Sequence, residues 1–83
     1  MEQIDIIIRV FGGLKTYYSE SISLQLTKGT SVNEVMDKLL EMNSKAKEVL
    51  DISQLAINST IVAKDLIITE NCELIVLPPF SGG

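Results

Sequence analysis

Apolar residues open the chain at every second position. Ile4, Ile6, Ile8 and Val10 alternate with Asp5, Ile7, Arg9 and Phe11, the period of a strand that turns its even positions toward a core. Gly12-Gly13 interrupts the run. Ile22, Leu24 and Leu26 then alternate with Ser21, Ser23, Gln25 and Thr27, which predicts a second, half-buried strand. The two read as an opening hairpin, with a connection over 12–20 that is long for one. Lys28-Gly29-Thr30 marks a turn. In Ser31-Val32-Asn33-Glu34 the serine hydroxyl can accept from the Glu34 amide while the carboxylate reaches back, a capping box that starts a helix. Val32, Val35, Met36, Leu39 and Leu40 follow at helical spacing as one apolar stripe. Asn43-Ser44 ends it, and a shorter helical piece is expected around Ala46 to Leu50. Leu55-Ala56-Ile57 and Thr60-Ile61-Val62 read as short strands about an Asn58-Ser59 turn. Asn71 is a candidate for a left-handed turn residue. The last strand, Cys72 to Leu77, is an almost unbroken apolar run, as expected of a central strand with both faces at least partly covered.

The order reads β-β-α-β-β. A sheet that is polar on part of one face takes its single helix across the other. The pattern predicts an α+β β-grasp, the ubiquitin-like architecture: a mixed sheet with one main helix across one face. Its first and last strands should lie side by side and parallel, joined by a right-handed crossover. Residues 1–79 are expected to form the domain and 80–83 a flexible tail.

Composition narrows the chemistry. With 83 residues, 46% of them hydrophobic, the chain can pack a core but is small enough that partners are expected. A net charge of −4 gives no footprint for nucleic acid or an anionic membrane. No apolar run approaches the roughly 20 residues of a membrane span, and Met1-Glu2-Gln3 lacks the basic start of a signal peptide. A cytoplasmic location is expected. With no histidine and one cysteine, Cys72, a structural zinc site, a disulfide framework and histidine-dependent nucleophilic catalysis cannot be written. No metal or bound cofactor is expected.

The candidate chemistry lies at the end, in Leu77-Pro78-Pro79-Phe80-Ser81-Gly82-Gly83. Pro78 and Pro79 have no amide donors, so they cannot extend a sheet ladder, and they favour a stiff polyproline stem. Residues 80–83, extended, reach on the order of 13 Å at about 3.3 Å each. Gly82 and Gly83 can pass where no side chain would fit. The useful group at such a tip is the Gly83 carboxylate. It is a poor electrophile, but joined to AMP it gains a good leaving group. A sulfur nucleophile can then displace AMP and leave a thiocarboxylate; an amine would leave an isopeptide bond. The alternative is an unselected frayed end, against which the paired prolines and the β-grasp pattern both argue.

If the even positions of the first strand face the helix, Ile7, Arg9 and Phe11 lie on the open face, with Ile75 and Leu77 beside them. That is an apolar patch with a basic member, on the side of the departing tail, and it is expected to dock partners. The alternative is that Leu14, Tyr17 or Tyr18 folds back over it. Cys72, beside Glu73 and with no basic neighbour, reads as a structural residue rather than a persulfide carrier. Glu70 and Glu73 read as solvated surface, with nothing to pair them for acid–base work.

The C-terminal third, "LAINSTIVAKDLIITENCELIVLPPFSGG", and the N-terminal "IRVFGGLK" carry a resemblance to a family. The whole length resembles the MoaD family, the small sulfur-carrier subunits of molybdopterin synthase, within the MoaD/ThiS ubiquitin-like superfamily. Ile57-Asn58 matches the family's strand ending in asparagine, and Pro78 to Gly83 matches its Pro-Pro-x-x-Gly-Gly tail. Asn71-Cys72 stands where Gly-Asp is usual, Lys15 where arginine is common, and Phe80 where a smaller residue is common. The resemblance implies that an E1-like adenylating enzyme of MoeB type consumes ATP to activate Gly83, and that a sulfurtransferase or cysteine desulfurase supplies the sulfur. The tail, Pro78, Pro79, Phe80, Ser81 and Gly82, would thread into a MoaE-type large subunit within a heterotetramer. There the thiocarboxylate would donate sulfur to cyclic pyranopterin monophosphate, building the molybdopterin dithiolene. The catalytic side chains would be the partner's; Ile7, Arg9, Phe11, Lys15, Ile75 and Leu77 would bind it. The rival readings are a ubiquitin-like protein modifier, a sulfur carrier for thiamin or tRNA thiolation, and an interaction domain with an inert tail.

Overall fold

A computed structural model of the chain describes residues 2–79. Phe80, Ser81, Gly82 and Gly83 lie outside the described residues. Five strands form one sheet: β1 (Gln3–Val10), β2 (Ser21–Thr27), β3 (Gln54–Ile57), β4 (Thr60–Val62) and β5 (Cys72–Leu77). Their spatial order is β2-β1-β5-β3-β4. The short hairpin contributes two strands besides the closing one, so there is one strand more than β-β-α-β-β allows. In β1 the expected alternation holds: Ile4, Ile6, Ile8 and Val10 are buried and every odd position is exposed. β1 pairs antiparallel with β2, from Gln3 opposite Thr27 to Arg9 opposite Ser21. It pairs parallel with β5, from Ile6 beside Cys72 to Val10 beside Val76. The first and last strands are thus central neighbours, as the apolar run of β5 requires.

The helix α1 (Val32–Met42) begins where the capping box places it. Ser31 Oγ accepts from the Glu34 amide at 3.3 Å, and Glu34 Oε2 accepts from the Ser31 amide at 2.9 Å. Val32, Val35, Met36 and Leu39 are buried and join the even face of β1 with Leu74 and Val76 of β5 in one core. Asn43 closes the helix by donating its amide to the Leu39 carbonyl, and a short helix α2 (Lys47–Asp51) buries Leu50.

The connection between β1 and β2 is more ordered than its length implied. Gly12–Thr16 form a 3-10 helix with Leu14 fully buried. The Tyr18 hydroxyl donates to the Leu39 carbonyl at 2.6 Å, which ties the connection to the last turn of α1. Asn43 Nδ2 donates to the Tyr17 carbonyl at 3.2 Å from the other side.

The β3–β4 turn takes positive φ at both Asn58 (52°) and Ser59 (66°), the twist that a two-residue hairpin demands. Asn71 does not adopt the left-handed conformation expected of it. Its Oδ1 instead accepts from the Asp5 amide at 2.8 Å. β5 starts one residue later, with Cys72 beside Ile6, so the side chain supplies the acceptor that the ladder cannot yet offer. Among the described residues, no helix is long and apolar enough to cross a membrane.

Candidate functional site

Because β1 and β5 run parallel, both reach the same end of the sheet. Val10 leads into Phe11 and Gly12 there, and Leu77 leads into Pro78. Gly12 turns with φ +57°, and a Cβ on it would lie 3.2 Å from Pro78 Cγ. The proline stem therefore leaves the sheet against a backbone that only glycine leaves open. Pro78 is half-buried and Pro79 exposed, and Lys15 is exposed on the 3-10 helix that starts at Gly12.

The open face comes from the register. Arg9 lies beside Ile75, Ile75 opposite Ala56, and Ala56 opposite Ile61. Since paired residues share a face, one row crosses the sheet as Ser21, Arg9, Ile75, Ala56 and Ile61. Ile7 and Glu73 flank it on one side, Gln54 and Leu77 on the other. Ile7 is 42% exposed, Phe11 40% and Ile61 52%, while Ile75 and Leu77 are half-buried. The expected cluster of Ile7, Arg9, Phe11, Ile75 and Leu77 is thus brought together. Ile61 extends it, and the Ala56–Ile61 pairing about the Asn58-Ser59 turn was its only trace in the sequence.

Two details of this face come from the structure. Glu73 lies at the solvated surface, as expected, and also forms an ion pair with Arg9. The parallel register sets Ile7 beside Glu73 and Arg9 beside Ile75, so the two charges meet on a diagonal. The basic member of the patch is therefore neutralised, and the pair, about half exposed on both sides, adds little stability. The 12–20 connection leaves the face open, as expected, rather than folding back over it. Leu14 and Tyr18 are buried in the core beneath α1, and Tyr17 packs against that same core.

Cys72 sits on the opposite, core-facing side and is half-buried. Burial, and secondarily the Glu70 carboxylate, push its thiol pKa up. The thiolate that a persulfide carrier would need is disfavoured. Among the described residues, no group of three histidine, cysteine or carboxylate side chains could hold a metal ion.

A mixed sheet crossed by one main helix, with its first and last strands parallel at the centre, defines a ubiquitin-like β-grasp domain. The ThiS family matches residues 8–83, and the chain belongs to that family. Three solved structures show the shared fold. Small archaeal modifier protein 1 of Haloferax volcanii is 19% identical, with a TM-score of 0.81 over 95% of this chain and 99% of that one. A complex of subunits 1 and 2 of the molybdopterin-converting factor from Helicobacter pylori 26695 matches at 22% identity and a TM-score of 0.68, over 96% of this chain and 100% of that one. A Caldiarchaeum subterraneum ubiquitin matches at 15% identity and a TM-score of 0.67, over 99% of this chain and 100% of that one. No curated protein sequence matches the chain.

Proposed function

We propose that this protein is a sulfur carrier, the small subunit of a molybdopterin synthase, with Gly83 as its reactive residue. One observation carries the reading: in a chain of the ThiS family, the parallel β1–β5 pair sends a Pro78-Pro79 stem out of the sheet beside an exposed apolar face. The stem leads to Gly82-Gly83. An E1-like enzyme of MoeB type binds the face and the tail. The Gly83 carboxylate attacks the α-phosphorus of ATP, pyrophosphate leaves, and an acyl-adenylate remains. A sulfide-level nucleophile from a sulfurtransferase or cysteine desulfurase adds to the carbonyl and expels AMP. One oxygen has been exchanged for sulfur with no net redox change. If the donor is a persulfide, an acyl disulfide forms first and a second thiol must reduce it.

The loaded tail then enters a MoaE-type large subunit, and each thiocarboxylate gives one sulfur to the pyranopterin and returns as a carboxylate. The fold shared with a subunit 1 and 2 complex supports a large-subunit partner. Ile7, Phe11, Ile75 and Leu77, extended by Ile61, would bury against it, with Lys15 beside the stem. The fold shared with a small archaeal modifier protein favours one second reading, attachment of Gly83 to lysine amines.

The intact mass of the protein from its own cells separates them. A species heavier by one oxygen-to-sulfur exchange, lost when Gly83 is deleted, is the expected result. Lysine-linked conjugates without that species would make tagging primary. An unmodified tail that stays unmodified with ATP, an E1-like enzyme and a sulfur donor would overturn both readings.

A further inference from the structure

β2 is an edge strand, and among the described residues nothing pairs with its outer side. Edge strands are normally blunted by a charge, a proline, a bulge or short length. Ser21–Thr27 has seven residues with no charge, proline or glycine among them. Its hydrogen-bonding phase is set at both ends. The Val10 amide donates to the Glu20 carbonyl at 3.2 Å, and the Lys28 amide to the Glu2 carbonyl at 3.0 Å. Even positions of β2 therefore bond inward to β1, and Ser21, Ser23, Gln25 and Thr27 present their amides and carbonyls outward.

In Glu20-Ser21-Ile22-Ser23-Leu24-Gln25-Leu26-Thr27-Lys28 the strand residues are symmetric in chemical type about Leu24, and the flanking Glu20 and Lys28 are opposite in charge. A second copy turned about a two-fold axis at Leu24 sets Ser21 opposite Thr27 and Ser23 opposite Gln25. These are the outward-bonding positions, so every pair that must exchange hydrogen bonds can do so. Leu24 meets its own copy at a close, non-bonded position, and Ile22 meets Leu26. The half-buried Ile22 and Leu24 gain cover on the helix side, and hydroxyls and amides meet on the other. At both ends Glu20 falls opposite Lys28, so each register-setting charge finds its opposite and no like charges meet. Lys28 is also 3.3 Å from Glu2 but keeps much of its side chain exposed.

We propose that β2 is a self-association edge, through which two copies of this chain pair antiparallel about Leu24 and join their sheets into one. β1 lies between β2 and β5, so the pairing leaves the proline stems and both open faces uncovered, and the two-fold axis sends the stems to opposite ends.

Sedimentation equilibrium of the full chain, from low micromolar to millimolar concentration, tests this. A reversible monomer–dimer equilibrium is expected. Glu20→Lys or Lys28→Glu alone should weaken it about tenfold, by replacing two attractive cross-strand pairs with two repulsive ones. The double swap should restore it. Ser23→Pro removes an outward amide while sparing the β1 ladder and should leave a folded monomer, checked by circular dichroism. The charge-swap pair decides alone if that variant does not fold. A wild type that stays monomeric at every concentration, or a dimer indifferent to the charge variants, would overturn the proposal.

Discussion

At the scale of single residues, the tail's departure rests on Gly12. Its φ of +57° and the 3.2 Å approach to Pro78 Cγ impose two separate constraints, one on the backbone and one on space. Gly12→Ala should cost about 1–2 kcal/mol through the left-handed conformation alone, and the methyl should push Pro78 aside. Gly13 is the control, because a methyl added there would meet nothing within 4 Å and its φ is not positive. Gly13→Ala should be neutral or stabilise by about 0.5 kcal/mol through the unfolded chain. Urea titration of the two variants would separate the effects, and equal losses would show that the Gly12 geometry is not what matters. Cys72 allows a second test. Its pKa is raised in the fold by burial and by Glu70, so the protonated thiol is the form the native state prefers. That contribution is present below the ordinary thiol range and is lost as pH rises through and above it. Iodoacetamide should therefore alkylate Cys72 more slowly in the native protein than in urea at mildly alkaline pH. If the protein carries sulfur as proposed, Cys72→Ala should still load it; loss of loading would make Cys72 part of the chemistry.

At the scale of elements, the β3–β4 hairpin carries a local cost. Both turn residues have positive φ, which asparagine tolerates and serine does not. Ser59→Gly should relieve about 1 kcal/mol and return about half of it as unfolded-chain entropy. The melting temperature should then rise by about 2–4 °C; a fall in thermal scanning would mean that the Ser59 side chain contributes a contact. What made an element legible in the sequence was a local signal. The alternation of Ile4 to Val10, the Ser31/Glu34 box and the stripe from Val32 to Leu40 each report their structure within a few residues. The 3-10 helix at Gly12–Thr16 has no such signal, because Leu14 and Tyr18 are held by the core and by the end of α1. The Arg9–Glu73 pair was hidden for the same reason: it exists only in the register of two strands at opposite ends of the chain. Asn71 departs from its expected role because one side chain suits two, a left-handed turn and a side-chain acceptor, and only the start of β5 chooses between them.

At the scale of the whole molecule, the sheet divides its labour between two faces. The even positions of β1 carry the fold and the odd positions face outward. That division was readable from a period of two, whereas the extent of the open face was not, since the exposed Ile61 joins it across the buried Ala56 only through the β5–β3–β4 pairings. If the open face docks the large subunit, stability and binding should respond to different neighbours in one strand. Ile7→Asp removes an apolar side chain that is 42% exposed. It should cost at most about 1 kcal/mol of stability, yet weaken partner binding by roughly 30-fold or more, as loss of an interface anchor does. Ile8→Ala, one position along and fully buried, should cost about 2–5 kcal/mol of stability while the folded fraction binds normally. Ile75→Asp is the less discriminating change, because Ile75 is half-buried between β1 and β3 and mixes both effects. Chemical denaturation and titration calorimetry with the large subunit would read the two quantities side by side. If Ile7→Asp binds as tightly as the wild type, the partner does not use this face, and the tail alone must account for recognition.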